Sequence, residues 1–289
     1  MINKIFTTCD NSRLICAVWD SVDNPIGIVQ IIHGIFDKMS TYDKLATFLN
    51  NNGYIVFGID TATNKHQRTF DRAVTQEADI MRYLVNKYSL PIFLIGYGYG
   101  GFVAQSLLHR SDTPISAVCL VKSGMYNKAV IRLARIIVQI GAKIRGTNTK
   151  TKMMNMFTRY HCGRTQKSPI CTYGFCKSFF DGLIKLDTDT KRDNPVLVIS
   201  NAAEHDPTTA QFSRALYNAY HNNNLENTTL LIYPDMQNKL LLEMNCGRIQ
   251  NDILSFFNDT HYSSTKTAAT PSWTTKSGSS EYFFSPVHT

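Results

Sequence analysis

The segment with most chemical promise runs from Pro91 to Ala104, reading Pro-Ile-Phe-Leu-Ile-Gly-Tyr-Gly-Tyr-Gly-Gly-Phe-Val-Ala. An apolar, β-branched run enters a frame of Gly96, Gly98 and Gly100 and leaves into a helix-patterned stretch. In the G-x-S-x-G turn this setting lifts a serine oxygen above a sheet as a nucleophile, and the next amide faces the oxyanion. Here the central residue is Gly98, which has no side chain to attack anything. A non-glycine residue held in such a turn costs about 1–3 kcal/mol of backbone strain, which glycine relieves. Tyr97 and Tyr99 flank the turn, but their directions follow the strand and the helix, so neither is read as a substitute nucleophile.

Two other groupings invite chemistry. His161, Cys162, Cys171 and Cys176 are metal-ligating types, but their spacing lacks paired C-x-x-C knuckles. They are read as free thiols and a lone imidazole, with no metal and no cofactor expected. From Asn127 to Ile144, Arg132, Arg135, Gln139 and Lys143 recur every three or four residues as a polar stripe on an otherwise aliphatic helix. That pattern fits a helix packed on a body with a solvated basic edge, or one resting on an anionic membrane surface through Arg132, Arg135 and Lys143.

The elements around these residues follow from periodicity. Continuous apolar runs at 26–32, 54–58, 91–95, 117–121, 195–199 and 229–233 read as strands covered on both faces. Helix-patterned stretches lie between them, near 42–50, 73–87, 101–109, 208–221 and 246–257. This alternation predicts a mostly parallel α/β sheet with right-handed crossovers and helices on both faces. Residues 14–19 add a strand at its leading edge. Residues from about 125 to 193 carry no good strand and read as a helical cap inserted into a domain spanning 1–258. The Ser/Thr-rich stretch within 259–289 reads as a disordered tail.

Composition excludes several classes. In 289 residues, 43% are hydrophobic and 18% charged, enough for a large core and incompatible with a fibre or wholesale disorder. Seven cysteines, an odd number and scattered, cannot form a complete disulfide framework. No apolar run has membrane-spanning length and the amino terminus lacks a signal-peptide build, so a cytoplasmic protein is expected, with peripheral membrane contact as the exception. The net charge of +8 is local: no carboxylate lies between Asp112 and Asp181. That basic run has no nucleic-acid reading module, so no nucleic-acid partner is expected.

Across residues 10–258 the chain resembles the α/β hydrolases, in the branch of monoacylglycerol lipases, lysophospholipases and serine aminopeptidases. Gly27 to Gly34 resembles that branch's strand and oxyanion loop, and Ser168 to Leu183 the end of its cap. Val196 to Pro207 resembles its acid loop, and Tyr233 to Asn245 its histidine loop. The resemblance implies the α/β-hydrolase fold and places the triad positions on Gly98, Asp206 and Asn238, of which only the acid is retained. It also implies an oxyanion hole from the backbone amides of Ile35 and Tyr99. After Asp60 the usual Arg-Gly-His-Gly loop is replaced by Thr61-Ala62-Thr63-Asn64-Lys65.

Losing the serine or the histidine of such a triad costs on the order of 10⁶ in turnover, and asparagine cannot shuttle a proton near neutral pH. The expectation is therefore a pseudoenzyme that keeps a pocket for a small acyl or ester ligand. Two alternatives stand beside it: a weak hydrolase in which Asp206, with His205, activates water, and a membrane-surface protein acting through its basic cap.

Overall fold

The computed structural model describes residues 1–8, 11–35, 37–60, 69–153, 171–186, 193–201, 207–223, 225–234, 241, 247–266 and 284–286. The strands are β1 (Ile2–Thr7), β2 (Arg13–Trp19), β3 (Gly27–Ile32), β4 (Tyr54–Ile59), β5 (Ile92–Tyr97), β6 (Ile115–Val121), β7 (Lys150–Thr151), β8 (Cys171–Thr172), β9 (Val196–Asn201), β10 (Thr228–Tyr233) and β11 (Phe284–Pro286). The helices are α1 (Asp43–Asn51), α2 (Phe70–Tyr88), α3 (Tyr99–Leu108), α4 (Lys128–Arg145), α5 (Tyr173–Lys185), α6 (Pro207–Asn222) and α7 (Gly247–Lys266).

Nine strands form one sheet in the order β10-β9-β6-β5-β3-β4-β2-β1-β11. The six from β3 to β10 in this sheet run parallel, and β2, β1 and β11 add antiparallel pairs at one side. Every residue of β3, β4, β5 and β9 is buried, which is why these strands read as nearly continuous apolar runs rather than alternating ones. Side chains on alternate sides feed two cores. Ile28, Leu94, Val118 and Val198 pack toward α2, α3 and α6, while Val29, Ile95, Cys119 and Leu197 pack toward α1 and α7.

The connectivity places the site. From β3 the chain crosses through α1 to β4 on one side, then through α2 to β5 on the other side of β3. Strand order reverses there, and in open parallel sheets the crevice beyond the carboxyl ends at such a switch point is where ligands bind. Ile32, the last residue of β3, pairs with Gly96, so the segments leaving β3 and β5 emerge side by side.

Between β6 and β9 the chain leaves the sheet to make α4 and α5, which pack on each other and on the body. Ile131, Ala134 and Val138 of α4 share one core with Phe102 of α3 and Phe179 of α5. Asn127 caps α4 by accepting from the Ala129 amide at 2.8 Å, and Thr172 caps α5 through the Phe175 amide at 3.2 Å.

Three sequence expectations change: the edge of the sheet, the tail and the face of α4 that is covered. Residues 14–19 do not form the leading edge, because β1 and β11 lie outside β2 and complete its backbone pairing. The tail expected from 259 begins as helix, since α7 continues to Lys266. Residues 284–286 extend the sheet against β1. Finally, α4 is not simply packed with a basic edge. Leu133 is 61% exposed and Ile144 is 76% exposed, in a row with Val130, Ile137 and Ile140 on the side facing away from the body.

Candidate functional site

The turn after β5 has the expected backbone and no nucleophile. Gly98 stands at φ 53°, ψ −111°, as the residue capping α3. Its amide donates to the Val121 carbonyl at 2.9 Å, and its own carbonyl accepts from Gly101 at 3.0 Å, so both sides of the turn are tied down. Among the described residues, a β-carbon added at Gly98 would meet no atom within 4 Å. The turn therefore aims residue 98 into open space, and glycine leaves that space unfilled. Gly100 is needed for a different reason: a β-carbon there would lie 1.9 Å from the Ile32 carbonyl oxygen. The close approach lets the first turn of α3 sit on the end of β3.

The segment leaving β3 is braced from below. His33 is buried, and its Nδ1 lies 2.6 Å from the Gly34 carbonyl oxygen, so Nδ1 carries the proton. Tyr42, fully buried, accepts from the Gly34 amide at 3.4 Å and donates its hydroxyl to Asp37 Oδ2 at 2.7 Å. Its ring meets Tyr97, the last residue of β5, edge-on at 5.9 Å. Burial first, then the Asp37 charge, pushes the Tyr42 phenol well above its ordinary range, which keeps it a neutral donor. Ile35 and Tyr99, the two amides expected to bind an oxyanion, thus sit on neighbouring segments. The Tyr99 amide opens α3, where N–H groups point out of the helix rather than into it.

The carboxyl ends of β6 and β9 supply a polar floor that the sequence reading missed. Lys122 follows β6 with φ 51° and is completely buried, its amide donating to the Ile199 carbonyl at 2.9 Å. A buried ammonium survives only where charge or hydrogen bonds hold it. Ser123 accepts from Gln105 Nε2 at 2.8 Å, and its carbonyl accepts from Ser213 Oγ at 2.8 Å. Asn201, the last residue of β9, is buried, and neither of its side-chain polar atoms has a hydrogen-bond partner among the described residues. The one available signal was a lysine directly after a fully apolar run, Cys119-Leu120-Val121.

Asp206, His205 and Asn238 lie outside the described residues, as do residues 61–68. Of the sequence-derived site, the structure brings together Gly98, Tyr99 and Ile35. Cys171 and Cys176 are buried free thiols, whereas His161 and Cys162 are outside the described residues. Among the described residues, no three His, Cys, Asp or Glu side chains are grouped to hold a metal ion.

Tyr99 also ties the turn to the cap. Its ring lies 5.9 Å from Phe70, 5.9 Å from Phe175 and 5.6 Å from Phe179. The seam continues from Phe102 to Tyr126, and from Tyr126 to Phe212 at 4.6 Å. Aromatic pairs of this kind add about 0.5–1.5 kcal/mol each beyond area burial.

With this geometry in hand, comparison with known proteins is specific. Over 150 residues the chain is 28% identical to the monoglyceride lipase homolog of Monkeypox virus, covering 48% of this chain and 52% of that one. Over 122 residues it is 25% identical to the monoglyceride lipase of Mus musculus, covering 39% and 40%. The chain thus spans about half the length, or less, of these curated relatives. Among solved structures, it is similar to a thermostable carboxyl esterase from Bacillus coagulans, with TM-score 0.72 at 12% identity over 90% of this chain and 99% of that one. A soluble variant of the monoglyceride lipase of Saccharomyces cerevisiae superposes with TM-score 0.66 at 15% identity, over 88% and 94%. Identities this low speak to fold alone. Residues 23–245 match the family described as serine aminopeptidase, S33, and the chain belongs to that family of α/β hydrolases.

Proposed function

We propose that this chain is a catalytically silent member of its family that keeps a binding site for a small acyl or ester ligand. The observation that carries the reading is Gly98: the turn keeps its positive-φ backbone and its open space, φ 53° and ψ −111° with nothing among the described residues within 4 Å of an added β-carbon, while the attacking atom is absent. Asn238 at the histidine position removes the proton shuttle as well. Each loss alone costs on the order of 10⁶ in turnover. The relatives' names, monoglyceride lipase and phospholipase, point the ligand toward glycerol esters of fatty acids.

The test compares hydrolysis of a short-chain ester and a monoacylglycerol by the purified protein, by Asp206→Ala, and by the double variant Gly98→Ser with Asn238→His. A silent parent and an active double variant support the reading. An active parent that Asp206→Ala silences replaces it with the hydrolase in which Asp206, with His205, activates water.

A second reading has its own support. The outward row of Val130, Leu133, Ile137, Ile140 and Ile144 on α4 lies beside Arg132 and Lys143, and the surrounding stretch has no carboxylate. An apolar strip flanked by cations suits the boundary of an anionic bilayer. Among the described residues no helix is long and apolar enough to cross a membrane, so contact of this kind would be peripheral.

A further inference from the structure

A groove of about 860 Å³ runs along the cap, away from the Gly98 turn. One wall is α4, with Arg132 and Arg135. The other is α5, with Lys177, Asp181 and Lys185, and the first turn of α2 closes one end with Asp71. Four cations meet two carboxylates. Asp181 is held between Arg135 and Lys177, the latter at 2.8 Å, and Lys185 stands 3.3 Å from Asp71. Burial alone would raise the Asp181 carboxyl, but its hydrogen bonds from Lys177 and Arg135 outweigh that and hold it below its ordinary range. Arg132 has no ion pair among the described residues.

The groove opens onto apolar surface. Ile136 lines it and is 50% exposed, beside the outward aliphatic row of α4. A ligand suited to both has a compact anionic end for the cations and an apolar body for the aliphatic row. Guanidinium groups fit phosphate oxygens in pairs. Cations on both walls favour a phosphomonoester, which enters end-on with three oxygens, over a diester, which presents two.

We infer that the groove between α4 and α5 binds the phosphomonoester headgroup of an anionic membrane lipid while the outward face of α4 rests on the bilayer. This rests on the membrane-surface reading above and adds to it a headgroup preference read by named residues. Asp181 acts as a built-in competitor, because its carboxylate occupies two of the cations that would grip phosphate.

The test is co-sedimentation of the full chain with phosphatidylcholine vesicles containing phosphatidic acid or phosphatidylglycerol, matched in surface potential. Phosphatidic acid is expected to bind about tenfold tighter, the effect of one charge-assisted contact pair. Arg132→Gln is expected to erase that preference and Asp181→Asn to enlarge it, with thermal unfolding of both variants showing that the cap is intact. Equal binding of the two vesicle types, or a preference that survives Arg132→Gln, overturns the headgroup site. Full release by soluble glycerol 3-phosphate overturns the lipid assignment in favour of a free phosphomonoester. If the chain binds neither vesicle, the membrane-surface reading falls as well. If it binds both equally and Ile140→Asp weakens both, that reading stands and only the groove assignment fails.

Discussion

Gly100 of α3 and Ile32 of β3 are in such close contact that a single β-carbon on the glycine would lie 1.9 Å from the isoleucine carbonyl oxygen. That contact fixes the Gly98 turn against the segment leaving β3. Gly100→Ala forces the backbone apart, and overpacking of this kind costs about 1–3 kcal/mol or more. A lowered midpoint in urea unfolding is the expected result. An unchanged midpoint would show that α3 does not depend on the contact.

Gly98→Ser probes the same turn through backbone strain rather than overpacking. The new side chain enters open space, so the variant is expected to fold, less stable by about 1–3 kcal/mol from backbone strain alone. It is also expected to resist serine-directed phosphonates until Asn238→His restores a base. Stoichiometric labelling of the single Gly98→Ser variant would expose a base elsewhere in the site.

Tyr42 links pH to stability. Its phenol is pushed up in the fold, chiefly by burial, so the unfolded chain ionises first as pH rises. The stabilisation is complete below about pH 10, the ordinary phenol value, and declines as pH climbs from there toward the folded-state value. Tyr220 and Tyr233 are raised in the same direction by burial. Tyr42→Phe is expected to cost about 1–2 kcal/mol at neutral pH, by loss of the Gly34 and Asp37 hydrogen bonds. It should also make stability fall less steeply above pH 10, and a slope equal to the parent's would assign the alkaline loss to the other two tyrosines.

Tyr99→Ala tests the seam between turn and cap. A half-buried ring touching Phe70, Phe175 and Phe179 contributes about 2–3 kcal/mol. Faster proteolytic cleavage within 125–193, with the rest of the domain surviving, is the predicted pattern. Uniform loss of the whole domain would mean that cap and body unfold together.

Pairing Ile140→Asp with Ile144→Asp charges one end of the outward apolar row without touching the core, since both residues are exposed. Unfolding is expected to shift by no more than about 0.5 kcal/mol per site, while sedimentation with anionic vesicles drops. Retained vesicle binding would move the contact elsewhere.

Much of this was legible in the residues themselves. The parallel strands announced themselves because both of their faces are covered, so Ile28, Val29, Ile31 and Ile32 are all apolar, and their order with the intervening helices implied the sheet. The absence of a nucleophile was readable at Gly98, since a missing side chain needs no coordinates. Less could be read where local pattern is shared by different environments. The cap was expected to be helical, but the bounds of α5 were not legible, because its first turn, Tyr173-Gly174-Phe175-Cys176, carries no polar residue to mark a face.

Sequence alone therefore determined the alternation of strands and helices and the glycine at the centre of the turn after β5, because these depend on residue types at fixed spacing. Tertiary structure decided the rest. Only the pairing of Ile32 with Gly96 brings the Ile35 and Tyr99 segments together, and only the packing of Ile131, Ala134 and Val138 inward turns the other aliphatic side of α4 toward solvent. Periodicity states how many faces a helix has; which face is covered depends on what packs against it, and that partner is remote in the chain.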